Sequence, residues 1–497
     1  MKNKTKFKTI TLAIFATLLM LVAFASLFIM QASTIQAEAY SATYTHEPSK
    51  RLSAREAFAD SNFEYDSINI VLTATASRQF LDYSASDFIE INATGVVDLT
   101  HFTVGYVREQ FRLKQQYGIA HNREQSELTI DIYTFRRILM LTFDNDCRES
   151  IFDKIDILNT REDVYVAEPN ARQTISSTSP TLYTQHWNNN MRNLIGYNGL
   201  NAFRNAPSVI VGVMDTGIQS SHAILNSRMH RGYPTHDVNT TWHRDFSRRQ
   251  DLPHGRNVVN PVDTGTSPTG VFTGHGTQTA GIIASMHPNV RLVCIKVLPA
   301  TGAVPTTPNN AIALAINYAQ SRGIQILNFS GAGFNHYTAV IEAINSFTGI
   351  FVNSAANFGR DNDNQTYLNL INQSRILTVG AHDNNGQRSV WGNYGRNSSN
   401  FGTRNVHIFA PGGGIVDGVN RSILTTAPTG SGFGYYSGTS AAAPFVAGTL
   451  ALMRALRPDL PISTIRSILL NNAENQSITV PVWHNVYNKL LTTYQEL

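Results

Sequence analysis

Apolar positions change their spacing along the chain, and the changes divide it. Residues 9–30 are uncharged and mostly apolar, while residues 40–61 are polar and show no period, which predicts a loose linker. From Ser67 the β-branched run SINIVLTATA predicts a strand. Gly105 to Gly118 (GYVREQFRLKQQYG) has helical spacing and a glycine stop. RRILMLTFDN (Arg136 to Asn145) predicts a strand. CRESIFDKIDILNT (Cys147 to Thr160) puts Ile151, Ile155 and Leu158 on one helix face. DVYVAEPN (Asp163 to Asn170) alternates and is expected to stop at Pro169. Together these segments predict a small α+β unit over residues 62–173. ARQTISSTSPT (Ala171 to Thr181) then has the composition of an exposed, easily cut linker, set at residues 174–184.

Beyond residue 185 strand and helix patterns alternate. VIVGVMDTG (Val209 to Gly217) is almost continuously apolar, as suits a strand buried on both faces of a parallel sheet. RLVCIKVLP, IQILNFSG, IFVNSAAN, RILTVGA and VHIFAPG read as further strands. NNAIALAINYAQSRG, TAVIEAINSFTG, SAAAPFVAGTLALMRAL and ISTIRSILLNNA read as helices. The alternation predicts an α/β domain over residues 185–497, with a mostly parallel sheet flanked by helices.

Composition sharpens this picture. With 497 residues, 42% apolar and 15% charged, the chain can bury a large core and a second, smaller one. A net charge of +4 with no basic block gives nucleic-acid binding no support. No phosphate-cradling glycine loop follows an early strand, which disfavours a nucleotide-binding protein. Cys147 and Cys294 are far apart and form no metal-ligand pattern. Cys294, inside an apolar strand, reads as an inert buried thiol. Lys2, Lys4, Lys6 and Lys8 precede the apolar stretch, and AEA (Ala37 to Ala39) has small residues where a signal peptidase reads. Residues 1–39 are therefore read as an export signal, with a retained membrane anchor as the alternative. Either places the bulk of the chain outside the cytoplasm.

Three residues stand at element ends where an open parallel sheet gathers chemistry. Asp215 follows a wholly apolar strand, so its carboxylate needs a partner; its plainer role is to cap the next turn. His275 lies between two glycines in TGHGTQTAGIIAS, which let another segment approach closely; a lone histidine is more often structural. Ser440, in SGTSAAAPFVAG, follows a flexible Gly-Thr step and opens a helix on three alanines. Capping is its plainer role, yet a helix N-terminus also favours developing negative charge. A serine nucleophile needs a base, and an imidazole base needs an anion to hold its tautomer. The chain supplies all three in the order Asp, His, Ser, one of the orders known for serine hydrolases.

In these motifs the chain resembles the subtilisin-like serine proteases, the subtilases. VIVGVMDTGI, GHGTQTAGIIA and SGTSAAAPFVAG carry the resemblance, supported by ILNFSGAG, VNSAANFG and IFAPGG, across most of residues 185–475. It implies Ser440 as nucleophile, His275 as general base and then acid, and Asp215 as the group that orients His275. It implies an oxyanion hole from the Asn357 side chain and the Ser440 backbone N–H. It implies that Ser330, Gly331 and Ala332, with Ala355 and Ala356, flank the pocket for the substrate side chain before the scissile bond. The upstream unit resembles the inhibitory prodomain of secreted subtilases, which helps the protease fold and lays its tail in the cleft. Self-cleavage is then expected at residues 171–180.

The implied function is a secreted or extracytoplasmic serine endopeptidase made as a zymogen, with protein or peptide substrates and its own prodomain as intramolecular inhibitor. No cofactor is required for the chemistry. Two alternatives stay open: a processing protease dedicated to one partner peptide, and a non-catalytic relative that only binds. Missing triad or oxyanion residues would favour the second, and none is missing. The chain departs from the family pattern at three places. Ala441 follows the nucleophile where many bacterial members carry an oxidisable methionine. Ala356 stands before Asn357 where glycine is usual. SMHPNVRLVCIKV lacks the long Asn-rich calcium loop, so that metal site is not carried over. GRDNDNQ (Gly359 to Gln365) has two aspartates that could bind structural calcium, and its plainer reading is an exposed polar loop.

Overall fold

Four strands, β1 (Phe63–Leu72), β2 (Gly95–Asp98), β3 (Ile138–Thr142) and β4 (Val164–Thr174), form an antiparallel sheet in the order β2-β3-β1-β4. Helices α1 (His101–Tyr117) and α2 (Arg148–Leu158) accompany it. Ile151, Phe152, Ile155 and Leu158 of α2 are buried, the face that the apolar spacing marks. This computed structural model describes residues 54–58, 63–117, 134–144, 146–174, 205–230, 242–247, 256–257, 274–298, 306–331, 337–364, 371, 373–391, 397–416, 419–428, 432–479 and 485–490. The chain divides into two units, residues 1–57 and 58–497. Of the first, one helical turn (Ala54–Ala57) is described. The expected export segment, most of the 40–61 linker, residues 175–184 and Ala332 lie outside the described residues.

Two boundaries depart most from the sequence expectation. The strand begun in SINIVLTATA ends at Leu72, and Ala74–Gln79 is a short helix. Thr73 turns the chain: its Oγ1 accepts the Ala76 N–H at 3.2 Å, a helix cap that β-branched composition hides. The last strand does not stop at Pro169 but runs on to Thr174, so residues 171–174 are strand rather than linker. Pro169 sits where the β1–β4 register shifts, the kind of place where a missing N–H is tolerated.

The second sheet has ten strands among the described residues. Its members are β5 (Ile210–Asp215), β6 (Arg244–Asp245), β7 (Arg256–Asn257), β8 (Arg291–Lys296), β10 (Ile326–Phe329), β11 (Ile350–Ser354), β12 (Ile376–His382), β13 (Ile408–Pro411), β18 (Glu474–Thr479) and β19 (Asn485–Leu490). The order is β18-β19-β13-β12-β11-β10-β5-β8-β6-β7, parallel except for the outer pairs β18–β19 and β6–β7. A further strand, β9 (Thr306–Pro308), pairs with the end of β4. Two hairpins, β14 (Gly414–Val416) with β15 (Val419–Arg421) and β16 (Ile423–Thr426) with β17 (Phe433–Tyr436), are the remaining strands among the described residues.

The second-sheet helices that matter here are α3 (His275–Met286), α4 (Asn309–Ser321), α5 (Thr338–Ser346), α6 (Thr439–Leu456) and α7 (Ile462–Asn471). The core packs Val211, Val213, Ile326, Val352 and Leu377 of the strands with Ile282, Phe445, Val446 and Leu450 of α3 and α6. Helix α6 is long and apolar enough to cross a membrane, but it is almost wholly buried and is the core helix of this sheet. From β5 the chain goes out on one side to β8 and on the other to β10, so the strand order reverses there. A crevice outside the carboxyl ends of the strands opens at such a point, and Asp215 ends β5.

Candidate active site

The Asp215 carboxylate is 1% exposed and fully engaged. Its Oδ1 lies 2.7 Å from His275 Nδ1 and accepts the Thr216 N–H at 2.7 Å, while its Oδ2 accepts the Thr279 hydroxyl at 3.3 Å. This is the partner that burial of a carboxylate demands. His275 is the first residue of α3, so the helix start fixes its ring. Gly274, at φ +88°, and Gly276 explain the flanking glycines. A Cβ on Gly276 would meet the Gly217 carbonyl oxygen at 2.1 Å, and one on Gly274 would meet the Pro428 ring at 2.4 Å. Thr216 Oγ1 accepts the Gly276 N–H at 3.0 Å and ties the helix start to the end of β5.

Ser440 lies in the first turn of α6, after Gly438 at φ +111°. Helices α3 and α6 approach closely, since a Cβ on Gly448 would stand 2.5 Å from Met286 Cβ. That closeness brings the two helices bearing His275 and Ser440 together. Ser440 Oγ donates to the Ser330 carbonyl at 2.8 Å, and Ser330 Oγ donates back to the Ser440 carbonyl at 2.9 Å. On the other face of the ring, His275 Nε2 lies 2.7 Å from Tyr436 Oη. Asp215 and His275 are thus brought into direct contact, while Ser440 is held against the end of β10.

Asn357 is anchored by its Oδ1, which accepts both the Thr439 N–H and the Thr439 hydroxyl at 2.9 Å. Its Nδ2 therefore faces the Gly438 turn, where a Cβ would stand 2.9 Å away. Ala356 adopts φ +84°, the left-handed conformation that glycine takes freely, so the alanine keeps the glycine-like turn at a cost in strain. The two segments expected to flank the substrate side chain are joined where Ser354 Oγ donates to the Gly331 carbonyl at 2.6 Å. Ser330, Gly331, Ala355 and Ala356 are all buried; Ala332 is outside the described residues.

Among the described residues no group of three His, Cys, Asp or Glu could hold a metal ion. Residues 287–290 alone join α3 to β8, which leaves no room for a long loop. Asp363 is no vacant ligand: it accepts the Thr403, Arg404 and Asn405 N–H groups and the Thr403 hydroxyl. Burial pushes its carboxyl up, but the bonds from Thr403, Asn405 and Arg404 outweigh it and hold the group below its usual range. Neither cysteine is in a disulfide: Cys147 is exposed and Cys294 buried.

The family model described as the subtilase family matches residues 206–488, more than half of the chain. The chain belongs to the subtilase family. It is a serine peptidase, a hydrolase acting on protein or peptide substrates. This subtilase is 28% identical to subtilisin DY of Bacillus licheniformis over 292 residues, which cover 56% of this chain and 86% of that protein. It is 32% identical to subtilisin-like protease 10 of Arthroderma benhamiae over 57% of this chain and 47% of that one. Among solved structures, the epidermin leader peptide processing serine protease of Staphylococcus aureus matches with a TM-score of 0.55 at 18% identity, over 86% of this chain and 98% of its own. Fervidolysin from Fervidobacterium pennivorans matches with a TM-score of 0.53 at 17% identity, over 87% and 61%. These likenesses show the fold.

Sequence reasoning missed Tyr436, Thr279 and Thr439. Thr279 stands four residues after His275 on one helix, a spacing that puts both on one face and could have flagged it. Tyr436 comes from the β16–β17 hairpin, whose two four-residue strands carry no clear apolar period.

Proposed function

We propose that this subtilase is an exported endopeptidase, made as a zymogen, that cleaves peptide bonds with Asp215, His275 and Ser440. The observation that carries this reading is the 2.7 Å contact of His275 Nδ1 with the buried Asp215 carboxylate at the carboxyl end of β5. Bound this way, Nδ1 carries the proton and Nε2 presents its lone pair. Ser440 Oγ attacks the scissile carbonyl as Nε2 takes its proton. Nε2 then protonates the leaving amine, and water hydrolyses the acyl-enzyme by the reverse sequence. The oxyanion is held by Asn357 Nδ2 and the Ser440 N–H; one such donor typically contributes about 3 kcal/mol in the transition state. Ser330, Gly331, Ala332, Ala355 and Ala356 flank the side chain before the cut. No step needs a metal.

The zymogen reading is supported by how the first sheet meets the second. Glu168 accepts the Thr338 and Ala339 N–H groups at 2.6 and 2.8 Å, at the N-terminus of α5. Asn170 Oδ1 accepts the Asn310 N–H at 3.4 Å at the start of α4. Arg136 pairs with Glu342 at 3.0 Å, and Thr103 with Asn317 at 3.0 Å. The end of β4 pairs antiparallel with β9, Arg172 opposite Pro308. Residues 62–173 act in this reading as the inhibitory prodomain, with a cut beyond β4 in residues 174–184. Export rests on the basic, then apolar, N-terminal segment. The Xanthomonas campestris relative named extracellular protease, 27% identical over 53% of this chain, agrees with it.

The test is to express residues 40–497 with and without Ser440→Ala. The unaltered chain should lose its N-terminal unit near residues 174–184, and the variant should stay full length. Identical processing of both in a purified system would sink self-cleavage. A second reading, a protease dedicated to one partner peptide, follows from the solved relative named for leader-peptide processing. Cleavage of one peptide and not of casein would favour it.

A further inference from the structure

His275 Nε2 must receive the nucleophile's proton and later hand it to the leaving amine. Tyr436 Oη lies 2.7 Å from that nitrogen. The phenol is buried and stands edge-on to the imidazole, with centroids 5.2 Å apart at 90°. A neutral imidazole whose Nδ1 donates to a carboxylate accepts at Nε2, so in the resting base the Tyr436 O–H is the donor. Thr279 Oγ1, on the same helix as His275, lies 3.3 Å from both Tyr436 Oη and Asp215 Oδ2; its one proton goes to the carboxylate, so the phenol is held there by contact and not by a second hydrogen bond. Meanwhile Ser440 Oγ donates to the Ser330 carbonyl. Tyr436 and Ser440 are four residues apart on one strand-to-helix turn, and in the peptidase reading both hydroxyls call on the one lone pair of Nε2.

We propose that Tyr436 is a positioning residue that latches the resting site, holding Nε2 until a substrate displaces the phenol. The inference rests on the peptidase reading above. The phenol stands where Nε2 must deliver its proton to the leaving amine. It is therefore displaced by peptides with residues on the leaving-group side of the scissile bond, and small reagents without such residues leave it in place. Opening breaks the Oη–H···Nε2 and Oγ–H···O=C bonds, gives up the Thr279–Tyr436 contact and forms Oγ–H···Nε2; no covalent bond changes. A latch lowers the competent fraction of enzyme, and apparent affinity falls by that fraction.

Tyr436→Phe removes the hydroxyl and keeps the ring. The full chain and this variant are compared with diisopropyl phosphorofluoridate and with a peptide spanning both sides of the cut. The variant should be phosphorylated roughly tenfold faster, the equivalent of one hydrogen bond. With the peptide its KM should fall while kcat stays within about twofold. A merely structural role would lower kcat instead. If the unaltered chain reacts and the variant is no faster, the latch is wrong and the peptidase reading stands. If neither reacts, both fall. Should the variant fail to fold, a crystal structure of the unaltered chain decides: Tyr436 Oη within hydrogen-bond reach of His275 Nε2 supports the latch, and Oη beyond it overturns the latch.

Discussion

Ser330 Oγ donates to the Ser440 carbonyl, the one carbonyl in the first turn of α6 that Pro444 leaves without a helical donor. Proline has no N–H, so the acceptor four residues earlier needs another source. Ser330 supplies it and receives the Ser440 hydroxyl on its own carbonyl in return. The end of β10 thereby sets the pose of the serine. Ser330→Ala should cost about 1–3 kcal/mol in urea unfolding, because it leaves a buried carbonyl unsatisfied. Pro444→Ala restores a donor, so Ser330→Ala should cost less in that background. An equal cost in both backgrounds would show that the carbonyl is not the reason.

Gly276 is the contact point between α3 and the turn after β5. A Cβ there would meet the Gly217 oxygen at 2.1 Å and Asp215 Cβ at 3.0 Å. Gly276→Ala must push α3 away from β5, and His275 moves with it. Overpacking of this kind costs about 1–3 kcal/mol. A displacement of about 1 Å at a reacting group costs on the order of a hundredfold in rate. The variant should therefore lose more activity, measured as kcat/KM on a peptide, than its fall in melting temperature accounts for. Full activity would mean that the helix start tolerates the shift.

The parallel sheet was legible because strands such as Ile210–Asp215 are buried on both faces, and burial of that kind writes a continuous apolar run. That Asp215, His275 and Ser440 stand at element ends was legible, because each follows or opens a periodic run and is flanked by residues small enough for close approach. Tyr436 was not, since a buried aromatic in a short hairpin looks like packing until its hydroxyl is given a partner. The Thr73 turn and the continuation of β4 past Pro169 escaped for a similar reason. Both depend on one side-chain bond or one register shift, and neither leaves a periodic trace. The pairing of β4 with β9 joins residues far apart in sequence, and no local pattern encodes it.

Ala356 holds φ +84° although it has a Cβ. A left-handed alanine costs roughly 1–2 kcal/mol, and glycine relieves it while gaining about 0.4–1 kcal/mol of freedom when unfolded. Ala356→Gly should thus be neutral to about 1 kcal/mol stabilising by thermal melting, with Asn357 kept in place by its bonds to Thr439. A clear loss of stability would show that the alanine methyl packs better than its backbone suffers.

Three histidines set the acid side of stability. His243, His287 and His407 each accept a backbone N–H at Nδ1, from Cys294, Asn289 and Thr378 at 3.0, 3.1 and 3.0 Å. Protonation would place a donor against a donor. Burial is the main cause pushing them down, His243 and His287 to about 4 and His407 to about 3; Arg466 near His407 adds to the effect there. The sign follows directly. Below their ordinary value of 6.5 the unfolded chain takes up protons that the folded chain refuses, so stability is complete above pH 6.5 and falls as pH drops towards about 4. Each histidine contributes a slope of about 1.4 kcal/mol per pH unit in that window. Urea unfolding between pH 8 and 4.5 should show a plateau and then a steep decline. His407→Gln should make the decline shallower by one proton. A flat profile from pH 7 to 5 would show that these rings accept protons in the folded chain after all.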